Sequence, residues 1–149
     1  MATQFVIVAT AIVVKNNKFL ITKRSSKEKY YPGKWTVPGG KLDKEDYESI
    51  EKNSAGLHYE VLEKTIRREV KEEVNLEIKD INYVTSIVFE RDGGVPTMII
   101  SLSCQYKNGE VKLDADSEDY KWVTIDEAKN YDLIDGIYDE LVMCARKLF

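Results

Sequence analysis

The sequence predicts an α+β fold, a sheet covered on both faces by helices, and three observations carry that expectation. Residues 5–14 form an apolar, β-branched run suited to a strand buried on both faces. Residues 78–90 and 95–106 are two further strand-like stretches separated by a glycine pair. Two segments carry apolar residues at helical spacing: Leu62, Ile66 and Val70 in one, Ile137, Leu141, Cys144, Ala145 and Leu148 in the other. Strands mixed with two main helices bury their apolar surfaces best when the helices pack on opposite sides of one sheet.

The elements follow in order. After the first strand, Asn16-Asn17 supplies a tight turn and residues 19–22 return as the hairpin partner. Residues 23–34 form a polar loop rich in basic and tyrosine side chains. A short strand at 35–37 leads into the turn Pro38-Gly39-Gly40, and residues 44–52 suit a short helix. The main helix spans about 59–74, with Leu62, Ile66 and Val70 as its apolar stripe and carboxylates beside it. Residues 78–90 and 95–106 pair antiparallel through Asp92-Gly93-Gly94. Asn108-Gly109 makes another turn, 120–125 a further strand, and the segment from Ile137 a closing helix. No repeat, low-complexity stretch or linker interrupts the chain, which reads as one domain over 1–149.

Composition narrows the function classes. Hydrophobic residues make up 43% and charged residues 32%, as in an ordinary globular domain. The net charge of −4 argues against a general nucleic-acid binder, since phosphate backbones select basic surfaces. A nucleotide substrate stays possible, because a metal ion supplies positive charge locally. No apolar run is long enough to span a bilayer, and Met1-Ala2-Thr3-Gln4 lacks the basic region of a secretory signal, so a cytoplasmic location is the expectation. Cys104 and Cys144 have no metal-site spacing and read as buried thiols, and a single histidine, His58, excludes a histidine-based metal site.

What remains is carboxylate chemistry. Glu69, Glu72 and Glu73 stand at i, i+3 and i+4, on one side of the main helix. Like charges at that spacing repel, and a divalent cation with a preference for oxygen, Mg²⁺ or Mn²⁺, would relieve them. Taken alone, the trio reads first as a solvated acidic face.

The surrounding residues decide between these. Pro38-Gly39-Gly40-Lys41, Glu60, then Arg68-Glu69-Val70-Lys71-Glu72-Glu73 and Leu76 resemble the signature of the Nudix hydrolases: a glycine, a spaced glutamate, seven residues, then Arg-Glu-aliphatic-x-Glu-Glu-x-Gly-aliphatic. The resemblance covers most of the chain and implies the family's α/β/α sandwich with a mixed sheet. Two departures stand out. Asn75 replaces the signature's final glycine, in a slot where a helix ends in a left-handed residue, a conformation asparagine tolerates. Gly40 and Glu60 are twenty positions apart where the pattern has six, an excess of fourteen assigned to an insertion at about 43–59. Such an insertion is entropically cheap and would lie beside the active site, as a flap or as an inert excursion.

The resemblance implies hydrolysis of a diphosphate linkage in a nucleoside diphosphate derivative, with Mg²⁺ or Mn²⁺ as cofactor. By position in the motif, Glu69, Glu72 and Glu73 are metal ligands, the Gly40 carbonyl is a further one, Glu60 tunes the cluster, and Arg68 pairs with and orients a carboxylate. Arg24 and Lys41 resemble the basic residues that touch substrate phosphates in MutT-type members. Asp135 falls near the slot that reads the base edge, although a helix N-cap explains it equally. Of the acidic run before Trp122, Glu118 is the choice for an extra metal ligand or general base, with Asp116 its competitor. The short chain with Arg24 and Lys41 favours a nucleoside triphosphate as substrate, with ADP-ribose or a nucleotide sugar as runner-up. An inactive nucleotide-binding sensor is the reading of another class. The expected partner is a small nucleotide, not nucleic acid or membrane; monomer and homodimer both stay open.

Overall fold

A computed structural model describes residues 1–90 and 93–149. Strand β1 (Val6–Lys15) and β2 (Lys18–Arg24) form the expected hairpin. Its turn residues, Asn16 and Asn17, both take positive φ, 50° and 60°, as a two-residue turn matched to the twist of its strands requires. Strands β3 (Trp35–Thr36) and β4 (Gly39–Lys41) follow, then helix α1 (Lys44–Glu48), helix α2 (Val61–Val74), β5 (Glu77–Phe89), β6 (Thr97–Asn108) and β7 (Ser117–Val123). Helices α3 (Ile125–Ala128) and α4 (Ile137–Leu148) close the chain. Of the expected Asp92-Gly93-Gly94 turn, Asp92 lies outside the described residues.

The sheet runs β3-β2-β1-β6-β5, with β4 also on β1 and β7 also on β2. β1 and β6 are parallel from Val6↔Thr97 to Val14↔Gln105, and the other pairs are antiparallel, so the sheet is mixed. Side-chain alternation along β1 builds both cores. Ala9, Ala11 and Val13 face Ile66, Val70 and Val74 of α2. Ile12 and Val14 face Ala128 of α3 and Leu141 and Cys144 of α4. Each fully buried Ile, Val or Leu in these layers contributes about 1.5–3 kcal/mol, which is what holds α2 and its carboxylates to the sheet.

α2 begins two residues later than its pattern predicts, because Glu60 takes a left-handed conformation, φ 57°, and starts the helix from outside. At the other end Asn75 has φ 62° and ψ 31°, the expected left-handed stop. Its N–H donates to the Lys71 carbonyl at 3.1 Å, and its side-chain amide donates to the Glu110 carbonyl at 3.1 Å, a bond glycine could not make.

Two elements escape a reading by periodicity. β4 is a glycine pair drawn against β1, so close that a Cβ on Gly39 would lie 2.8 Å from Thr10 Cα. α3 is a single turn capped by Thr124, whose hydroxyl accepts from Glu127 N–H at 3.1 Å. The segment between α1 and α2 is closed on itself. Asn53 Oδ1 accepts from the N–H groups of Ala55 and Leu57 at 2.9 and 3.0 Å. His58 Nδ1 lies 2.8 Å from the Ile50 carbonyl, and its ring packs on Tyr47. The single histidine is a clasp for this loop.

Candidate active site

Arg68, at the middle of α2, organises the site. Its Nε donates to Asp46 Oδ1 at 2.6 Å and its Nη2 to Asp46 Oδ2 at 3.0 Å, a two-pronged pair. Nη1 donates to Glu69 Oε1 at 2.9 Å and to Glu72 Oε2 at 3.1 Å, and Nη2 reaches the Lys41 carbonyl at 3.3 Å. Asp46 is 1% exposed and also accepts from the Thr65 hydroxyl at 3.0 Å and the Asp43 N–H at 2.9 Å. The Arg68 guanidinium holds the Asp46 carboxyl below the usual carboxylate range, against the opposing effect of burial.

Arg68 therefore orients a carboxylate, as the motif implies, but its buried partner is Asp46 and not Glu60. Glu60 is exposed, precedes the helix in left-handed backbone, and its carboxylate has no hydrogen bond or ion pair among the described residues. The two acids each satisfy half of the signature spacing. Glu60 stands eight positions before Arg68; Asp46 stands six after Gly40. Packing of α1 on α2 brings Asp46 to the arginine, so the fourteen extra residues fall after this acid rather than before it. Counting back from Arg68 and requiring glutamate hid it.

On the next face of α2, Glu69 and Glu73 meet beneath the glycine turn. Burial pushes the Glu73 carboxyl up, followed by the charge of Glu69, a hydrogen bond to Glu69 and the charge of Asp114; a backbone hydrogen bond at Gly39 pulls the other way. A Cβ on Gly40 would overlap the Glu69 carboxylate, so only glycine lets backbone come this close. Glu72 is more exposed and turned to Arg68. With Glu72 so held, no three acidic side chains among the described residues stand at ligand spacing.

The residues present nevertheless suit a hard divalent cation. Glu69 and Glu73 bring two carboxyls together in a half-buried spot, with carboxyl and backbone oxygens as the donors to hand. Glu72, more exposed on the same edge, is held by Arg68.

A cavity of about 400 Å³ opens over this pair, lined among others by Thr10, Arg24, Gly39, Gly40, Glu69, Glu73 and Asp116. Arg24 is steadied there by donating Nε to the Tyr30 carbonyl at 2.9 Å and Nη2 to Glu28 at 3.2 Å. Other expected residues lie elsewhere. Lys41 contributes its carbonyl to Arg68, while its exposed side chain does not line the cavity. Glu118 pairs with Lys23 at 3.4 Å, outside the cavity, and Asp116 takes the place at its wall. The cause is a register shift between Lys23 and Arg24: Lys23 faces Asp119 and Arg24 faces Ser117, so Glu118 is the extra residue of a bulge. Asp135 lines an adjoining cavity instead. None of residues 43–59 lines the carboxylate cleft.

Asp114 belongs to the site's surroundings as well. Its N–H donates to the Glu73 carbonyl at 3.1 Å, its side chain accepts from the Asp116 N–H at 3.0 Å, and burial raises its carboxyl.

Comparison with known proteins gives the family. Residues 6–142 match the NUDIX domain, so the chain belongs to the Nudix family and is a Nudix hydrolase, a class that generally uses divalent metal ions and acts on small nucleotide substrates. The nucleoside triphosphatase NudI of Klebsiella pneumoniae (strain 342) is 23% identical over 133 residues, covering 82% of this chain and 84% of that protein. The crystal structure of a MutT NUDIX hydrolase from Burkholderia pseudomallei superposes with a TM-score of 0.73 at 20% identity, covering 94% of this chain and 98% of that one. The NUDIX domain of Shewanella oneidensis NrtR, solved with ADP ribose, gives a TM-score of 0.71 at 18% identity, covering 100% and 90%. The structural likenesses establish the α/β/α fold with its mixed sheet. No helix among the described residues is long and apolar enough to cross a membrane.

Proposed function

We propose that this chain hydrolyses a nucleoside triphosphate to a nucleoside monophosphate and pyrophosphate. The observation that carries the reading is one cavity lined both by the Glu69–Glu73 pair with its glycine turn and by Arg24. That combination suits a polyphosphate: the arginine binds phosphate oxygens through its planar donors, and the carboxylates would do the same through a shared cation. Likeness to a nucleoside triphosphatase over most of both chains supports the same choice.

Glu69, Glu72, Glu73 and the Gly40 carbonyl would hold Mg²⁺ or Mn²⁺, which neutralises phosphate charge and lowers the pKa of a bound water. The protein's own part is positioning. Asp46 fixes Arg68, and Arg68 fixes Glu69 against the glycine turn. Asp116, at the cavity wall, is placed to accept a proton from the attacking water. Arg24 holds the phosphate chain in line with that water.

The test is a panel of nucleoside triphosphates, ADP-ribose, nucleotide sugars and dinucleoside polyphosphates, with Mg²⁺, products separated by ion-exchange chromatography. Pyrophosphate and a monophosphate from a triphosphate support the reading. Preferential cleavage of ADP-ribose would move the protein to the other substrate class. Tight nucleotide binding without turnover of any compound would mark a sensor.

A further inference from the structure

Thr65 is a poor choice for helix or core. It is fully buried inside α2, where a β-branched side chain loses χ1 freedom against the preceding turn. Its hydroxyl has one proton and two acceptors, the Val61 carbonyl and Asp46 Oδ2, each at 3.0 Å. The carbonyl bond is open to any threonine within a helix and joins neutral groups, whereas the carboxylate is charged and the stronger acceptor. The proton therefore goes to Asp46.

Thr65, Arg68, Glu69 and Glu72 stand at i, i+3, i+4 and i+7, so the threonine begins the stripe of α2 that continues into the site. Asp46 receives two side chains from α2, and they differ in stiffness. Arg68 reaches the carboxylate over a long chain of rotatable bonds and can follow it if it moves. The Thr65 hydroxyl stands one bond from Cβ and cannot. It is therefore Thr65 that ties the carboxylate to the backbone of α2. With the carboxylate placed, the guanidinium plane is placed, and its Nη1 meets Glu69 at 2.9 Å and Glu72 at 3.1 Å.

The fit is also one of size. Six residues after Gly40 this chain has an aspartate where the Nudix signature has a glutamate. Asp46 is closed off from solvent, and a further methylene would drive its carboxylate toward α2, where the equally buried Thr65 already lies at 3.0 Å. Overfilling such a site displaces side chains.

We propose that Thr65 is a positioning residue of the hydrolase site, matched in size to an aspartate at position 46. It fixes the Asp46 carboxylate to α2, and through it the Arg68 guanidinium and the two carboxylates that Arg68 holds. The proposal rests on the reading of Glu69 and Glu72 as cation ligands, and does not depend on which nucleotide is the substrate. Small displacements of positioning groups cost turnover more than substrate binding.

The experiment measures kcat and KM on the best substrate of the panel, and Mg²⁺ binding by calorimetry without nucleotide. Thr65→Val keeps the shape and removes only the hydroxyl. Its kcat should fall about tenfold with KM little changed, and its Mg²⁺ affinity about threefold, while Thr65→Ser recovers most of both. A folded Thr65→Val that melts earlier but keeps wild-type kcat and Mg²⁺ affinity has lost only packing, and overturns the proposal.

The size match is read from a cycle of Asp46→Glu, Thr65→Ala and the double variant. Each single change should lower kcat about tenfold, and the double variant, with room for the longer acid, should return to within about threefold of wild type. Independent sites would instead multiply to a loss of about 100-fold, which overturns the match. Where Asp46→Glu does not fold, recovery of folding and activity in the double variant supports the match, and its absence overturns it. If the wild type hydrolyses no compound, the substrate reading fails by itself and Mg²⁺ affinity decides: a loss in Thr65→Val restored in Thr65→Ser supports the proposal, and equal affinities overturn it. A wild type that binds no Mg²⁺ overturns it together with the metal reading.

Discussion

The Arg68 guanidinium grips the buried carboxylate of Asp46 with two nitrogens, at 2.6 and 3.0 Å, and with its remaining nitrogen holds Glu69 at 2.9 Å. One arginine thereby joins the short helix α1 to the edge of α2 that carries the acidic cluster. Removing Asp46 leaves a partly buried cation without its main partner. Asp46→Ala should destabilise the fold by about 3 kcal/mol and, where it still folds, lower kcat by letting Glu69 drift. Glu60→Gln should change stability by less than about 0.5 kcal/mol, since Glu60 is exposed and unpaired among the described residues. Chemical denaturation and steady-state kinetics check both. A Glu60 variant as damaged as the Asp46 variant would restore the spacing-based assignment.

The same pair has a pH signature. Asp46 is held below its ordinary value, mainly by the hydrogen bonds from Arg68. A carboxylate with a depressed native pKa binds fewer protons folded than unfolded, so its contribution is complete above the unfolded value, about 3.9, and is lost as pH falls through the native one. The stability gap between wild type and Asp46→Asn, measured by urea unfolding, should stay level from pH 7 down to about 5 and close progressively below about 4. A gap that widens on acidification would contradict the charged pair.

Glu73 behaves in the opposite sense. Burial and Glu69 raise its carboxyl, so its charge is a burden to the folded protein unless a cation offsets it. In chelator, Glu73→Gln should unfold at the same temperature as wild type or higher. Mg²⁺ should raise the melting temperature of wild type by mass action and leave that of the variant nearly unchanged. Hydrolysis should vanish in chelator, return with Mg²⁺ or Mn²⁺, and fall by orders of magnitude in the variant. Full activity in chelator would remove the metal from the mechanism.

Much of this was legible in the sequence, and the gaps have physical causes. Strand and helix positions follow from periodicity, since Val70 and Leu141 can only be buried by facing the sheet. Asn75 was readable because one residue type dominates the left-handed helix stop and asparagine is its nearest substitute. β4 was not readable, because two glycines carry no side-chain pattern and pair only because β1 lies beside them. Asp46 was hidden by a spacing ambiguity that only the packing of α1 on α2 resolves. Glu118 was misplaced because a β-bulge leaves no mark in the local sequence, and one extra residue changes which side chain faces the cleft.

That bulge gives a direct comparison of neighbours. Asp116 lines the cavity, and Glu118 is paired with Lys23 outside it. Asp116→Asn should reduce kcat by about 100-fold if it accepts the water's proton, with KM little affected. Glu118→Gln loses only a half-exposed ion pair, worth at most about 1 kcal/mol of stability, and should retain kcat within about twofold. Reversal of that order, measured with the preferred substrate, would show that the bulge does not persist during turnover.

The loop between the two helices can be tested separately from the acid that precedes it. Asp46 lies in α1, upstream of the loop, and must be kept. The Ile50 carbonyl and His58 Nδ1 are 2.8 Å apart, so the chain enters and leaves the loop within one side chain's reach. Replacing residues 51–57 by a short glycine-containing turn should preserve folding, with a small entropic gain from the shorter closure. Because no residue of this segment lines the cleft, kcat and KM should stay within about twofold of wild type. Replacing 44–57 instead should abolish activity, because it takes Asp46 with it and releases Arg68. A tenfold rise in KM for the shorter replacement would show that the loop reaches substrate after all, by a closure of the kind that lids make.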